Sequence, residues 1–166
     1  MAQPTSSFEN FVREHSTSLL RTSYLLTGDI NSAEDLLQDA LTRLYPNWAR
    51  VTEAQAPVAY VRRCLLNEYL NARRRRTVQV VDVDAAATDQ RPDFVEGVAA
   101  RDETARLLAV LSERQRAAVV LRYFHSLDDT EIAETLGCRR GTVRSMVSRS
   151  LAAMRAAQAA VPSATS

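Results

Sequence analysis

No acidic residue follows Glu134, so Arg139, Arg140, Arg144, Arg149 and Arg155 give the C-terminal stretch an uncompensated charge of +5. The spacing adds direction to that charge. At roughly 100° per residue of helix, Arg144, Ser145, Ser148 and Arg149 fall on one side, whereas Val143, Val147, Ser150, Leu151 and Met154 fall on the other. Guanidinium forks and hydroxyls on one face can bond phosphates and base edges in a duplex groove. Arg139 and Arg140 stand where the helix would begin, and backbone N–H groups at a helix start also favour phosphate. An ordinary helical hairpin with a solvated basic face would carry the same charge.

Two further strips have the residue types for recognition. Tyr60, Arg63, Asn67, Asn71 and Arg74 recur at helical spacing opposite an apolar stripe of Val58, Val61, Leu65, Tyr69 and Ala72. An aromatic ring, two amides and guanidinium groups in one line can stack on unpaired bases, bond their edges and hold phosphates. A surface helix with a basic end would look alike. Asp35, Gln38, Asp39 and Thr42 form a compact polar, acidic strip opposite Leu36, Leu37, Ala40, Leu41 and Leu44. That strip reads equally as a docking face or as a solvated one. Cys64 and Cys138 are isolated, with no C-x-x-C and no nearby pair of histidines. Neither a zinc site nor a disulfide framework is expected from them, and no metal or other cofactor is implied.

The elements that must position these groups are helical. Helical periodicity runs from about Phe8 to Arg76 and again from about Arg101 to Ala160, so the expected fold is all-α. The first helix is expected to end at Thr27-Gly28-Asp29, and Ser32 with Asp35 reads as a capping box opening the next. Pro46 ends or kinks that helix before Trp48, Val51 to Pro57 reads as a short loop, and a third helix covers Val58 to Arg76. Val78 to Val83 resembles a strand but has no partner run, which makes it extended linker. Near Asp102 a second domain opens, with Leu107, Leu108, Val110 and Leu111 packing ahead of a helix from Ser112-Glu113-Arg114-Gln115 to Tyr123. From Asp129, the order Ile132, Ala133, Leu136, Gly137, Cys138 and Val143 fits a helix-turn-helix. Ala133 permits a close helix crossing and Gly137 the positive φ of a tight turn.

Composition bounds the remaining possibilities. A chain of 166 residues with net charge +1 allows one or two small domains and does not by itself suggest nucleic acid. The distribution of charge does. Residues 62–76 hold six arginines against Glu68, and residues 77–103 hold seven acids against Arg91 and Arg101. All 21 basic residues are arginine, which with abundant Ala and Val fits coding from a GC-rich genome. No apolar stretch approaches membrane-spanning length and no basic-then-apolar leader opens the chain, so a soluble cytoplasmic protein is expected.

In order, Ala33-Glu34-Asp35-Leu36-Leu37-Gln38-Asp39, Ala59-Tyr60-Val61-Arg62-Arg63 leading to Asn67, Leu111-Ser112-Glu113-Arg114-Gln115-Arg116, and Gly141-Thr142-Val143-Arg144-Ser145 resemble the extracytoplasmic-function (ECF, group IV) sigma factors of bacterial RNA polymerase. The opening Leu20 to Asp29 is similar to an actinobacterial subgroup. The resemblance implies two small helical domains, sigma region 2 at 8–76 and region 4 at 102–160, joined by a flexible acidic linker at 77–101 that threads through the polymerase. It implies that Asp35, Gln38 and Asp39 dock on the clamp helices of the β′ subunit, and that Tyr60, Arg63, Asn67, Asn71 and Arg74 meet the melted −10 element. Arg139, Arg140, Thr142, Arg144, Ser145, Ser148 and Arg149 would then meet the −35 element. Core RNA polymerase, through β′ and β, and promoter DNA are the implied partners; an anti-sigma protein is left open, and no membrane is involved.

Three departures from the family pattern stand out. Met146 occupies a position where many relatives carry a basic or amide residue, Tyr60 replaces a frequent Trp, and Val51 to Pro57 lies where the family places a base-capturing pocket. Two other function classes compete with a non-enzymatic initiation subunit. An autonomous helix-turn-helix regulator would account for 102–160 but leaves the Asp35 strip and the Asn67 face without a purpose. A nucleic-acid enzyme with a helix-turn-helix tail would need a nucleophile or a metal-binding carboxylate cluster, and Asp35 and Asp39 have no companion ligands.

Overall fold

The computed structural model describes residues 4–80 and 102–161, in a chain that divides into two compact units, Met1–Ala86 and Ala87–Ser166. Among the described residues every regular element is helical, as the periodicity requires. Unit 1 holds α1 (Pro4–Thr27), α2 (Ile30–Leu44), a 3-10 turn (Tyr45–Asn47), α3 (Trp48–Glu53) and α4 (Pro57–Val80). Unit 2 holds α5 (Glu103–Ala109), α6 (Glu113–Phe124), α7 (Asp129–Leu136) and α8 (Arg140–Ala159).

In unit 1, α2 packs against both α1 and α4. α1 stops at Thr27 because Gly28 turns left-handed, with φ 74°, and its N–H donates to the Tyr24 carbonyl at 2.7 Å. The following residue, Asp29, is extended and becomes the N-cap of α2; its carboxylate accepts from the Ser32 N–H at 2.9 Å and the Ser32 hydroxyl at 3.0 Å. This corrects the expected capping box at Ser32 and Asp35. A cap must lie outside helical backbone, and Ser32 is already inside α2. The Ser32 backbone bond, then its hydroxyl, holds the Asp29 carboxyl below its ordinary value. That cap is therefore complete above the ordinary carboxylate range and is lost as pH falls through the lowered value.

Pro46, with no N–H to continue the ladder, converts the end of α2 into the 3-10 turn and delivers Trp48 to the core. The indole is buried edge-on against Phe8 and Phe11, with ring centroids 5.1 and 4.9 Å away, and its Nε1–H donates to Ser7 Oγ at 3.2 Å. The expected loop from Val51 to Pro57 is shorter than its sequence suggests. Val51 is a fully buried residue of α3, and only residues 54–56 separate α3 from α4. α4 is also longer than expected and continues through Val80, so Thr77 to Val80 are helical rather than extended. Valine and threonine are only mildly unfavourable in a helix, and a strand needs a pairing partner that these residues lack. The remainder of the expected acidic linker, 81–101, lies outside the described residues.

Side chains facing inward from α4 include Val61, Leu65 and Tyr69, as the apolar stripe requires, together with fully buried Leu66. Leu66 falls outside the narrow stripe because α4 packs against both α2 and α3 and so buries a wider arc. An ion pair of 2.9 Å between Arg43 and the largely buried Glu68 ties α2 to α4. Burial pushes the Cys64 thiol up, with the Glu68 charge adding to it, as suits a packing residue rather than a nucleophile.

Unit 2 opens with three short, well-capped helices, α5 to α7. Asp102 caps α5, and Ser112 with Gln115 and Asp128 with Glu131 form reciprocal capping boxes on α6 and α7. Leu108 and Leu111 are buried as expected, but Val110 is 48% exposed and belongs to the surface. The tight turn between α5 and α6 leaves carbonyls pointing inward, and a buried arginine satisfies them. Arg116 is 1% exposed; its Nε donates to the Leu108 carbonyl at 2.9 Å and its Nη2 to the Leu111 carbonyl at 3.0 Å. A second guanidinium from α6, that of Arg114, donates to the Leu136 carbonyl at the end of α7 at 2.9 Å.

Replacing Arg116 with Met keeps most of its volume but removes both bonds. Each bond to a charged group contributes about 1.5 to 3 kcal/mol, so Arg116→Met, which removes two, is expected to lower the stability of unit 2 by about 3 to 6 kcal/mol in urea denaturation. An unchanged denaturation midpoint would show that the guanidinium is not what holds this turn.

Candidate nucleic-acid interface and docking face

The turn that aims α8 depends on Gly137, the C-cap of α7, whose φ of 64° is left-handed. The Ala133 carbonyl accepts from the Gly137 N–H and also from the Cys138 N–H, at 3.0 Å for the latter. Ala133 is almost fully buried and Ile132 completely so, which brings α7 close to α8. Val143, Val147 and Ser150 then form the buried face of α8, and the Ser150 hydroxyl donates to the Met146 carbonyl.

Arg139, Arg140, Thr142, Arg144, Ser145, Ser148 and Arg149 are all exposed on α8 or at its start. Arg139 is the N-cap and provides no side-chain cap, so the first N–H groups of α8 have no acceptor from it. Two arginines together with those N–H groups suit a phosphate. Further along, arginine and serine side chains can reach base edges. Met146 is half-buried, so the residue that departs from the family pattern faces partly inward.

Arg144 is not an isolated guanidinium. Its Nε donates to Asp129 Oδ2 at 2.9 Å, and the other oxygen of Asp129 pairs with Arg122 Nη2. Sequence reasoning treated Arg144 only as a projecting cation and passed over Asp129. A signal was available, since the helix-turn-helix spacing places the first residue of α7 beside the first turns of α8.

On α4, Tyr60 is 45% exposed, and Arg63, Asn67, Asn71 and Arg74 are exposed with it. They sit opposite Val61, Leu65 and Tyr69, so packing of the core fixes their direction. At 1.5 Å per residue the strip extends over about 21 Å, enough for several unstacked nucleotides. Its side chains offer one stacking face, two amide pairs of donor and acceptor, and two cations.

Asp35, Gln38 and Asp39 are likewise exposed on α2, opposite buried Leu36, Leu37, Ala40 and Leu44. Leu41, expected in the apolar face, is only half-buried. With Phe8, Val12, Leu20, Leu37 and Tyr45 it lines an apolar groove of about 520 Å³ between α1 and α2, bordered by Glu34 and Gln38. The groove escaped sequence reasoning because helical spacing shows which residues are apolar, not how closely the neighbouring helix covers them. Among the described residues there is no group of three or more His, Cys, Asp or Glu able to hold a metal, and no helix long and apolar enough to cross a membrane.

Comparison with known proteins adds independent findings. Residues 11–78 match the family described as Sigma-70 region 2, and residues 101–154 match Sigma-70, region 4. The RNA polymerase sigma-E factor of Streptomyces coelicolor is 35% identical over 148 residues, covering 89% of this chain and 84% of that protein. The ECF RNA polymerase sigma factor SigL of Mycobacterium tuberculosis is 30% identical, covering 86% of this chain and 83% of its own length. In fold, the chain is similar to the sigma factor RpoE of Bartonella quintana in its co-crystal structure with the anti-sigma factor NepR. The TM-score is 0.66 at 23% identity, over 93% of this chain and 98% of that one.

The exposure of the α2 strip has a direct consequence for stability. Asp35→Arg and Asp39→Arg are expected to change unfolding free energy by no more than about 0.5 kcal/mol, as for other surface substitutions. Leu36→Ala, one turn face away, should cost roughly 2 to 5 kcal/mol. Comparable losses for the charge reversals would mean that the strip packs against something within the unit.

Proposed function

The chain belongs to the sigma-70 family as an ECF-type RNA polymerase sigma factor, and on that premise we propose how its exposed strips divide the work of promoter-directed initiation. Residues 8–76 act as region 2 and residues 102–160 as region 4. Asp35, Gln38 and Asp39 dock on the clamp helices of the polymerase β′ subunit. Tyr60, Arg63, Asn67, Asn71 and Arg74 capture the opened −10 strand, while Arg139, Arg140, Thr142, Arg144, Ser145, Ser148 and Arg149 engage the −35 duplex. The protein is not itself an enzyme; the polymerase supplies the chemistry, and this chain supplies location and strand capture in the cytoplasm.

The observation that carries this reading is the pairing, in one chain, of two different recognition surfaces matched to the two family regions. The α8 face has the arginine and serine chemistry of groove reading. The α4 strip has the stacking and amide chemistry of a separated strand, which intact duplex cannot use. An autonomous helix-turn-helix regulator would leave the α4 and α2 strips idle. An anti-sigma protein, the partner in the Bartonella complex, is a proposed further partner here. It is tested by competition between a candidate anti-sigma protein and core polymerase for this chain.

Three outcomes are expected. Asp39→Arg should greatly weaken capture of core polymerase in a pull-down while leaving the melting curve unchanged; undiminished capture by it and by Asp35→Arg would remove the docking assignment. Arg149→Ala should weaken upstream promoter recognition by about 1 to 3 kcal/mol and change base preference, and an equal loss on random duplex would reduce it to a phosphate contact. Tyr60→Ala and Asn67→Ala should preserve assembly but reduce strand opening, read as lost permanganate reactivity of −10 thymines. A pre-melted bubble should rescue Tyr60→Ala more than Asn67→Ala, because the bubble supplies opening but not base reading. Normal opening of linear promoter DNA by both variants would leave α4 as a solvated face.

A further inference from the structure

A carboxylate has no obvious place on a face that meets DNA, yet Asp129 lies within it. Its side chain is 17% exposed and stands between Arg122 of α6 and Arg144 of α8, with 30% and 67% of their side chains exposed. One oxygen accepts from Arg144 Nε at 2.9 Å, and the other pairs with Arg122 Nη2. Three helices therefore meet in one ionic triad. Its outermost member is also one of the side chains aimed at duplex DNA.

The atom used in the bond decides what the triad can do. Holding a guanidinium by Nε leaves the outer edge, with both terminal amino groups, pointing away from the carboxylate. A forked contact to guanine O6 and N7 uses two donors along one edge. An exposed arginine otherwise samples many rotamers, and binding must restrict it. Arg122 in turn neutralises the carboxylate and holds it in position, so Asp129 does not simply add a repulsive charge opposite the phosphates.

We propose that Asp129 is a positioning residue that fixes Arg144 for base reading and thereby sets base preference in the upstream promoter element. The proposal rests on the reading of α8 as the −35 helix and adds a residue that never touches DNA. Arg144 is the side chain that reads; Asp129 determines where its fork points. Loss of the carboxylate leaves the cation able to meet phosphates and any base, so discrimination falls more than affinity.

The test uses holoenzyme assembled from core RNA polymerase and the full chain, transcribing a promoter library randomised through the upstream element, with transcripts sequenced to give base preference at every position. Arg144→Ala should abolish preference at one or two base pairs. Asp129→Asn should reduce preference at those same base pairs by about three- to tenfold and leave the other positions unchanged. The double variant should lose no more discrimination than Arg144→Ala alone. Unaltered preference in Asp129→Asn, a uniform rise in affinity on all sequences, or additive losses in the double variant would each overturn the proposal.

Failure of the underlying reading looks different. If neither Arg144→Ala nor Arg149→Ala changes any base preference, α8 is not a reading helix and the proposal falls with it; if only Arg149→Ala does, α8 reads but Arg144 does not, and only the proposal falls. A measurement on the unaltered protein guards against misfolding of Asp129→Asn. The Arg144 Nε–H resonance, assigned by its disappearance in Arg144→Ala, should exchange slowly with water. Fast exchange would show that Asp129 does not hold the side chain, and would overturn the proposal.

Discussion

The guanidinium groups of α6, seated against the carbonyl ends of neighbouring helices, are the interaction on which unit 2 depends. The last carbonyls of any helix lack intrahelical partners and carry the negative end of its dipole. In water they would be hydrated. In the buried turn between α5 and α6 they need a donor, and Arg116 supplies two bonds to them, to Leu108 and Leu111. A buried charge would be costly alone, but here the guanidinium is itself hydrogen-bonded, to the Leu111 carbonyl and to a Leu108 carbonyl that also accepts from the Leu111 N–H. Arg114 applies the same chemistry at the end of α7. Because that end leads directly into the Gly137 turn, the bond to Leu136 anchors the point from which α8 departs. The direction of α8 thus depends in part on a half-buried cation of α6 rather than on α8 itself.

Unit 1 solves a different problem, that of presenting two chemistries from helices that also make the core. α2 buries Leu36, Leu37, Ala40 and Leu44 while exposing Asp35, Gln38 and Asp39, and α4 buries Val61, Leu65, Leu66 and Tyr69 while exposing Tyr60, Asn67 and Asn71. Each exposed strip is therefore held in direction by the packing behind it. Recognition groups on rigid helices lose less freedom on binding than the same groups on loops. The Trp48 cluster, delivered by the Pro46 turn, closes one end of this packing against α1.

Charge in this chain works by placement rather than by total. A net charge of +1 would give weak, unspecific attraction to DNA. Collecting arginines on α8, with carboxylates on the exposed strip of α2, allows opposite partners to be met by different faces. Phosphate contacts contribute affinity that falls with salt, whereas base contacts carry the sequence information. Asp129 bonds one arginine of α8 and pairs with Arg122, so it restrains the placement of a charge without adding to the number of cations.

Much of this architecture was legible before any coordinates. Period-3.6 apolar spacing identified the helices and their buried faces, Gly28 and Gly137 identified two helix ends, and the Ser112 and Gln115 pair opened α6, because each of these depends on backbone geometry within a few residues. Exposure of the Asp35, Asn67 and Arg149 faces followed from the same periodicity. Sequence alone misplaced the cap of α2, shortened α4, opened a loop at buried Val51 and put Val110 in the core. In each case a neighbouring turn or helix outweighed the local pattern. It also could not find the role of Arg116 inside the fold, the coupling of Asp129 to Arg144, or the groove beside Leu41. Arginines read alike in a sequence whether they face water, a carboxylate or a buried carbonyl; only the packing of one helix on another decides which, since that choice depends on groups distant along the chain and adjacent in space.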